Sequence, residues 1–146
     1  VEVNISNDLI AFWGVLEKRL MERHSKKPVH DLQSINKLRE KVGDDKILLF
    51  AAYYQNKFIG GAVVFNFADS VLTVQYLASD NNFQHLYPAH AIVNYLIEWG
   101  NKKGAKYLNL GTANEDAGKI INSGLFRFKE SFGGRGVLRE TMSLNL

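Results

Sequence analysis

Glu115 and Asp116 stand together in a Gly- and polar-rich stretch, Gly111 to Gly118, directly after a short apolar run, Tyr107 to Leu110. A loop leaving the carboxyl end of a strand is where side chains are free to meet a ligand. A carboxylate placed there is a candidate proton acceptor, and Glu115 is the first choice for a general base. The same stretch has a plainer use, because Asn114, Glu115 or Asp116 can cap the helix that follows. Both uses are open and they are compatible. Lys129, beside Glu130, falls near the end of that helix on the side of Leu125 and Phe126. It either projects into a cleft, or is a solvated cation complementing the helix C-terminus.

Tyr76 and Tyr87 carry hydroxyls able to protonate a leaving group, although ring packing is the more ready account of either. Gly133-Gly134-Arg135-Gly136 reads as a helix-to-strand turn, or as a phosphate-binding turn with Arg135 as its fork-shaped cation. Glu140 stands on the apolar side of a terminal strand, as an ion-pair partner of Lys129 or Arg139 or as a base with a raised pKa. The four histidines, His24, His30, His85 and His90, lack metal-site spacing, since Pro88 starts a helix between the last two. No metal is expected. With no cysteine in the chain, disulfides, thiolate metal sites and a cysteine nucleophile are excluded.

The elements that must position these groups follow from periodicity. Leu9, Phe12, Trp13, Leu16 and Leu20 recur at helical spacing from Ser6 to about His24, with Ser6 or Asn7 as cap. A second helix runs from an Asp31 cap to a Gly43 stop and carries Leu32, Ile35, Leu38 and Val42 on one face. Ile47–Tyr54, Phe58–Phe67 and Val71–Ala78 read as a three-stranded meander joined by three-residue turns. Gly60-Gly61 inside the second strand signals a bulge or a close backbone approach. After a polar loop, Asp80 to Tyr87, Pro88 opens a helix with Ala91, Ile92, Tyr95, Leu96 and Trp99 on one face, stopped at Gly104. The strand Tyr107–Leu110, a helix bearing Ile121, Leu125, Phe128 and Phe132, and a terminal strand Val137–Leu146 complete the chain.

The composition, 146 residues with 46% hydrophobic and 23% charged, suits one globular domain over 1–146. The net charge of +3 suits a phosphate-rich ligand. Its basic residues are spread through Lys18-Arg19, Lys26-Lys27 and Lys102-Lys103, without the stripe that nucleic acid requires. Val1 to Asn4 has no signal-peptide pattern, and the apolar runs are too short to span a bilayer, so a cytoplasmic location away from membranes is expected. A chain beginning with Val1 is expected to be a processed product or a domain of something longer.

Several stretches together resemble the GNAT superfamily of acyltransferases, and within it the FemAB-like and BioF2-like branch. They are Phe12-Trp13 with His24 and Pro28-Val29-His30; Val74-Gln75-Tyr76-Leu77-Ala78 with the loop to Pro88; and Asn109-Leu110-Gly111-Thr112 through Asn114-Glu115-Asp116 to Asn122-Ser123-Gly124-Leu125. The last continues into Phe128-Lys129-Glu130-Ser131-Phe132-Gly133-Gly134. The resemblance implies an α/β (α+β) fold, with a mixed, mostly antiparallel central sheet flanked by helices in the order ααβββαβαβ. It also implies transfer of an acyl group from acetyl-CoA or another acyl-CoA to an amine, with no metal.

In that frame the catalytic residues are Glu115, Lys129 and Tyr76. The donor lies along Gln75, Leu77, His85, Tyr87, Ala89 and Asn122, with the strand Val71–Ala78 offering backbone N–H groups to the acyl carbonyl. His30, Asn114 and Arg135 line the acceptor, a small molecule or a peptide or sugar amine, although for His30 a satisfied structural histidine is the more ready reading. The chain looks like the C-terminal half of a tandem pair, so a second GNAT-like domain or a homodimer is an expected partner. One stretch departs from the superfamily: Asn82 to Ala89 has no glycine where a Gln/Arg-x-x-Gly-x-Gly/Ala loop usually cradles pyrophosphate. Two alternatives follow from this. One is a Fem-type transferase using aminoacyl-tRNA, the one case that would involve nucleic acid. The other is a non-catalytic half that binds a ligand or a partner domain.

Overall fold

The computed structural model describes every residue except Asp69, Arg139, Thr141, Ser143, Asn145 and Leu146, together with all side chains of the remainder but that of His24. The chain forms two units, Val1–Gly111 and Thr112–Leu146. The first opens with strand β1 (Glu2–Ser6), which the sequence reading missed because its alternation is short. Helix α1 (Leu9–His24) follows, and Asp8, rather than Ser6 or Asn7, caps it by accepting from the Ala11 amide. Helix α2 (Leu32–Val42) has the expected Asp31 cap, and Gly43 ends it at a φ of 103°.

Strands β2 (Ile47–Tyr54), β3 (Lys57–Ala68) and β4 (Val71–Ser79) form the meander. The β2–β3 turn has two residues, not three: Gln55 and Asn56 both have positive φ, as the mirror-image hairpin turn requires. A 3₁₀ segment (Asn81–Leu86) leads into α3 (Pro88–Lys102) with proline in its first turn. Strand β5 (Tyr107–Asn109) then returns parallel to β4. The sheet order is β1-β2-β3-β4-β5, antiparallel except for its last pair.

Alternation along β2 sends Ile47, Leu49 and Ala51 to a core with Leu9, Phe12, Trp13 and Leu16 of α1 and Ile35 of α2. Phe50 and Ala52 go to a second core with Ile92 and Leu96 of α3. The sheet is thus covered on both faces, and each buried Leu, Ile or Phe adds about 1.5–3 kcal/mol. Gly60 and Gly61 serve close approach: a Cβ on Gly61 would lie 2.9 Å from Phe12 Cδ2 and 3.0 Å from the Phe50 carbonyl oxygen. A bulge also occurs here, since Ala52 pairs with Gly60 and Tyr53 with Phe58, leaving Ile59 over.

The second unit holds a two-stranded ribbon, β6 (Asn114–Glu115) with β7 (Ile120–Ile121), and helix α4 (Ser123–Glu130). Ile121 therefore lies in β7 and not on a helical face. Asn122, not Asn114, Glu115 or Asp116, caps α4 by accepting from the Leu125 amide at 2.9 Å. The expected strand from Val137 is not formed at Val137, Leu138, Glu140, Met142 or Leu144, all exposed; its other residues lie outside the described ones. Among the described residues no helix is long and apolar enough to cross a membrane.

Candidate functional site

The β4 strand changes partners along its length. Its pairing with β5 covers only Val71–Thr73. From Val74 to Ser79 the described residues place no strand on that edge. The opening coincides with a bulge, because Val64 pairs with Val74 and Val63 with Tyr76, leaving Gln75 as the extra residue. The Asp80 amide donates to the Ile59 carbonyl at 2.9 Å. Counting back by two, Ala78 and Tyr76 turn their main-chain groups toward β3, so Leu77 and Ser79 turn theirs to the open edge. The Leu77 side chain packs into the α3-side core, which leaves its amide as the group available there.

Tyr76 points the other way, into the core under α1. Its ring packs edge-on against Trp13, with centroids 5.6 Å apart and planes at 75°. Its hydroxyl accepts from the main-chain N–H of His30 at 3.1 Å and lies 2.8 Å from His30 Nδ1. His30 sits just before the Asp31 cap of α2, so that cap and the Tyr76 hydroxyl fix the imidazole together. Asp31 has its pKa lowered, first by hydrogen bonds from Ser34 and then by the charges of Lys37 and His30. Trp13 is buried, and its indole N–H has no hydrogen-bond partner among the described residues.

Around the start of α3 the backbone is specific. Tyr87 is left-handed, with a φ of 52°, and 65% exposed; its ring meets that of His90 at 5.5 Å. His85 is exposed in the 3₁₀ segment and Ala89 half-buried in the first turn of α3. Pro88 supplies no N–H to that helix start. The 3₁₀ segment is tied to α1 through Asn81, which is hydrogen-bonded to Arg19, Glu22 and Gln84.

In the second unit, Asn122 works with both ends of its amide. Its oxygen caps α4, and its Nδ2 donates to Glu115 Oε1 at 2.6 Å. Lys129 Nζ donates to the Thr112 carbonyl at 2.6 Å, and burial lowers the Lys129 pKa below its usual value. Asn114 and Arg135 are exposed.

The structure thus joins His30 to Tyr76 in one unit, and Glu115 to Asn122 in the other. The first pairing had no sequence signal, since 46 residues separate its members. Two hollows on the first unit, of ≈ 250 and ≈ 410 Å³, are lined by Asp45, Asn66, Trp99 and Lys103 and by Phe65, Phe67, Val71 and Thr73 respectively; neither is lined by a residue expected to be catalytic or to touch donor or acceptor through its side chain. Among the described residues no group of three His, Cys, Asp or Glu is placed to hold a metal.

Solved structures show the same fold. A possible acetyltransferase from Clostridium difficile 630 matches with a TM-score of 0.73 at 14% identity, over 99% of this chain and 97% of that one. An acetyltransferase from Trypanosoma brucei matches with a TM-score of 0.65 at 18% identity, over 99% of each chain. AAC(6')-Iy, in complex with the bisubstrate analogue CoA-S-monomethyl-acetylneamine, matches with a TM-score of 0.69 at 17% identity, over 99% and 97%. No curated protein sequence matches the chain. The FemAB family matches over residues 4–139. With nearly the whole chain matched and this fold around it, the chain belongs to the FemAB family and has the GNAT acyltransferase fold.

Proposed function

We propose that this chain transfers an acyl group from acyl-CoA to a primary amine, and that the open edge of β4 receives the donor. The observation that carries the reading is the bulge at Gln75, beyond which β4 turns the Leu77 and Ser79 main-chain groups to an edge where the described residues place no strand. An extended amide-bearing arm can pair with such an edge as a strand would. An edge N–H aimed at a thioester carbonyl stabilises the oxyanion that forms on attack. Tyr76, next to that edge, is the proton-handling hydroxyl in this reading. The solved structure of AAC(6')-Iy holding a CoA-containing bisubstrate analogue supports the choice of donor. In its own unit, Glu115 is proposed as a proton acceptor and Lys129 as a charge-stabilising cation.

Aminoacyl-tRNA is the second reading for the donor. It is favoured by the FemAB match and by the start of α3, where Pro88 removes an N–H and no glycine loop precedes it. Calorimetric titration with acetyl-CoA and desulfo-CoA separates the two. Saturable binding of both supports the acyl-CoA reading. Binding of neither, with binding of an aminoacyl-tRNA, selects the second.

A further inference from the structure

We propose that His30 stores the proton that Tyr76 exchanges with substrate, so that the two residues act as one relay in which His30 sets the direction of the Tyr76 hydroxyl. The inference rests on the acyl-transfer reading and adds a residue to its chemistry. A phenolic oxygen has two acceptor lone pairs and one proton. The main-chain N–H of His30 can only donate, and it occupies one lone pair at 3.1 Å. His30 Nδ1 lies 2.8 Å from the same oxygen and can interact in two ways. With Nδ1 bare, it accepts the hydroxyl proton and the ring proton sits on Nε2. With Nδ1 protonated, it donates to the second lone pair and the hydroxyl proton is turned outward.

One proton on His30 therefore converts Tyr76 from proton acceptor to proton donor. As the amine nitrogen bonds to the acyl carbon, its proton passes to the Tyr76 oxygen while the phenol's own proton moves to Nδ1. When the carbon–sulfur bond breaks, the outward hydroxyl gives its proton to the thiolate and recovers the one on Nδ1. The balance is one proton moved from nitrogen to sulfur, with no further reactant. The surroundings suit this exchange. Trp13 of α1 presents an uncharged ring to Tyr76, and Asp31, the first residue after His30, anchors the main chain there by accepting from the Ser34 amide at 2.7 Å. His30 acts through Tyr76 and is a positioning residue in this sense.

Two measurements test the relay on the full chain. Two-bond proton–nitrogen correlation spectra of the imidazole at alkaline pH should show His30 with its proton on Nε2, and Tyr76→Phe should abolish that preference. In steady-state acyl transfer from acetyl-CoA, His30→Gln, which can accept a hydrogen bond but hold no proton, should lower kcat at least 30-fold with KM within threefold. It should also flatten the acidic limb of the pH–rate profile. A Nδ1-protonated neutral imidazole, or a His30→Gln variant with wild-type kcat and an unchanged acidic limb, overturns the relay alone. Absence of turnover by the wild-type chain with acetyl-CoA and primary-amine acceptors overturns the acyl-CoA reading, and with it the relay to a thiolate leaving group.

Discussion

The Phe12 ring of α1 occupies the space that a side chain on Gly61 of β3 would fill, with Cδ2 2.9 Å from the position of an added Cβ. The Phe50 carbonyl oxygen, at 3.0 Å, closes the same space from the sheet side and is main chain, so it cannot move aside cheaply. Gly61→Ala should therefore cost about 1–3 kcal/mol by overpacking. Urea unfolding followed by circular dichroism measures this, and the midpoint should fall without a change in slope.

Tyr76→Phe removes the acceptor of the His30 main-chain N–H as well as the partner of Nδ1. The stability cost should be about 1–2 kcal/mol, as for a partly buried donor left unpaired. Turnover should fall further than stability explains, by about 10²-fold or more. Thermal unfolding and steady-state kinetics on the same preparation separate the two effects.

Asn122→Ala should destabilise α4 by about 1 kcal/mol, because the Leu125 amide loses its cap. Asn122→Asp keeps an oxygen for the cap while replacing the donor to Glu115 with a second carboxylate. Chemical denaturation should show Asn122→Asp more stable than Asn122→Ala. If Glu115 serves as the base, both variants should lose turnover.

Lys129 has a folded-state pKa below its ordinary 10.5 because burial disfavours its charge. Between that lowered value and 10.5 the unfolded chain binds more protons than the folded one at this site, so stability rises with pH there. Below the window both states are protonated and the contribution is flat. Lys129→Arg, which stays charged throughout, should remove this rise from the difference between wild-type and variant unfolding free energies measured across the window.

Much of the fold was legible because burial writes itself into periodicity. The faces of α1 and α3, the meander and the helix-end signals at Asp31, Gly43, Pro88 and Gly104 all follow local rules that neighbouring residues enforce. Gly60-Gly61 was legible as a close approach, though not that Phe12 is what approaches. What escaped has a common cause. Strand β1 lies at the sheet edge, and the alternation of Val3 and Ile5 with Glu2, Asn4 and Ser6 is a strand signal too short to stand out beside the longer runs. The region from Asn114 to Asn122 is organised by a left-handed pair, Asp116 and Ala117; Asp116 and Gly118 signal a turn, but Ala117 does not, and nothing local marks the short ribbon it closes. In the candidate site, Tyr76 and His30 were each picked out singly. Their hydrogen bond depends on α1 and α2 folding over β4, which spacing along the chain cannot express.

Donor binding at the open edge of β4 is tested most directly by amide chemical-shift mapping during titration with acetyl-CoA. The Leu77 and Ser79 amides, which face that edge, should shift saturably and by more than those of Tyr76 and Ala78, which face β3. Saturable shifts that spare Leu77 and Ser79, or no shifts at millimolar acetyl-CoA, would contradict it.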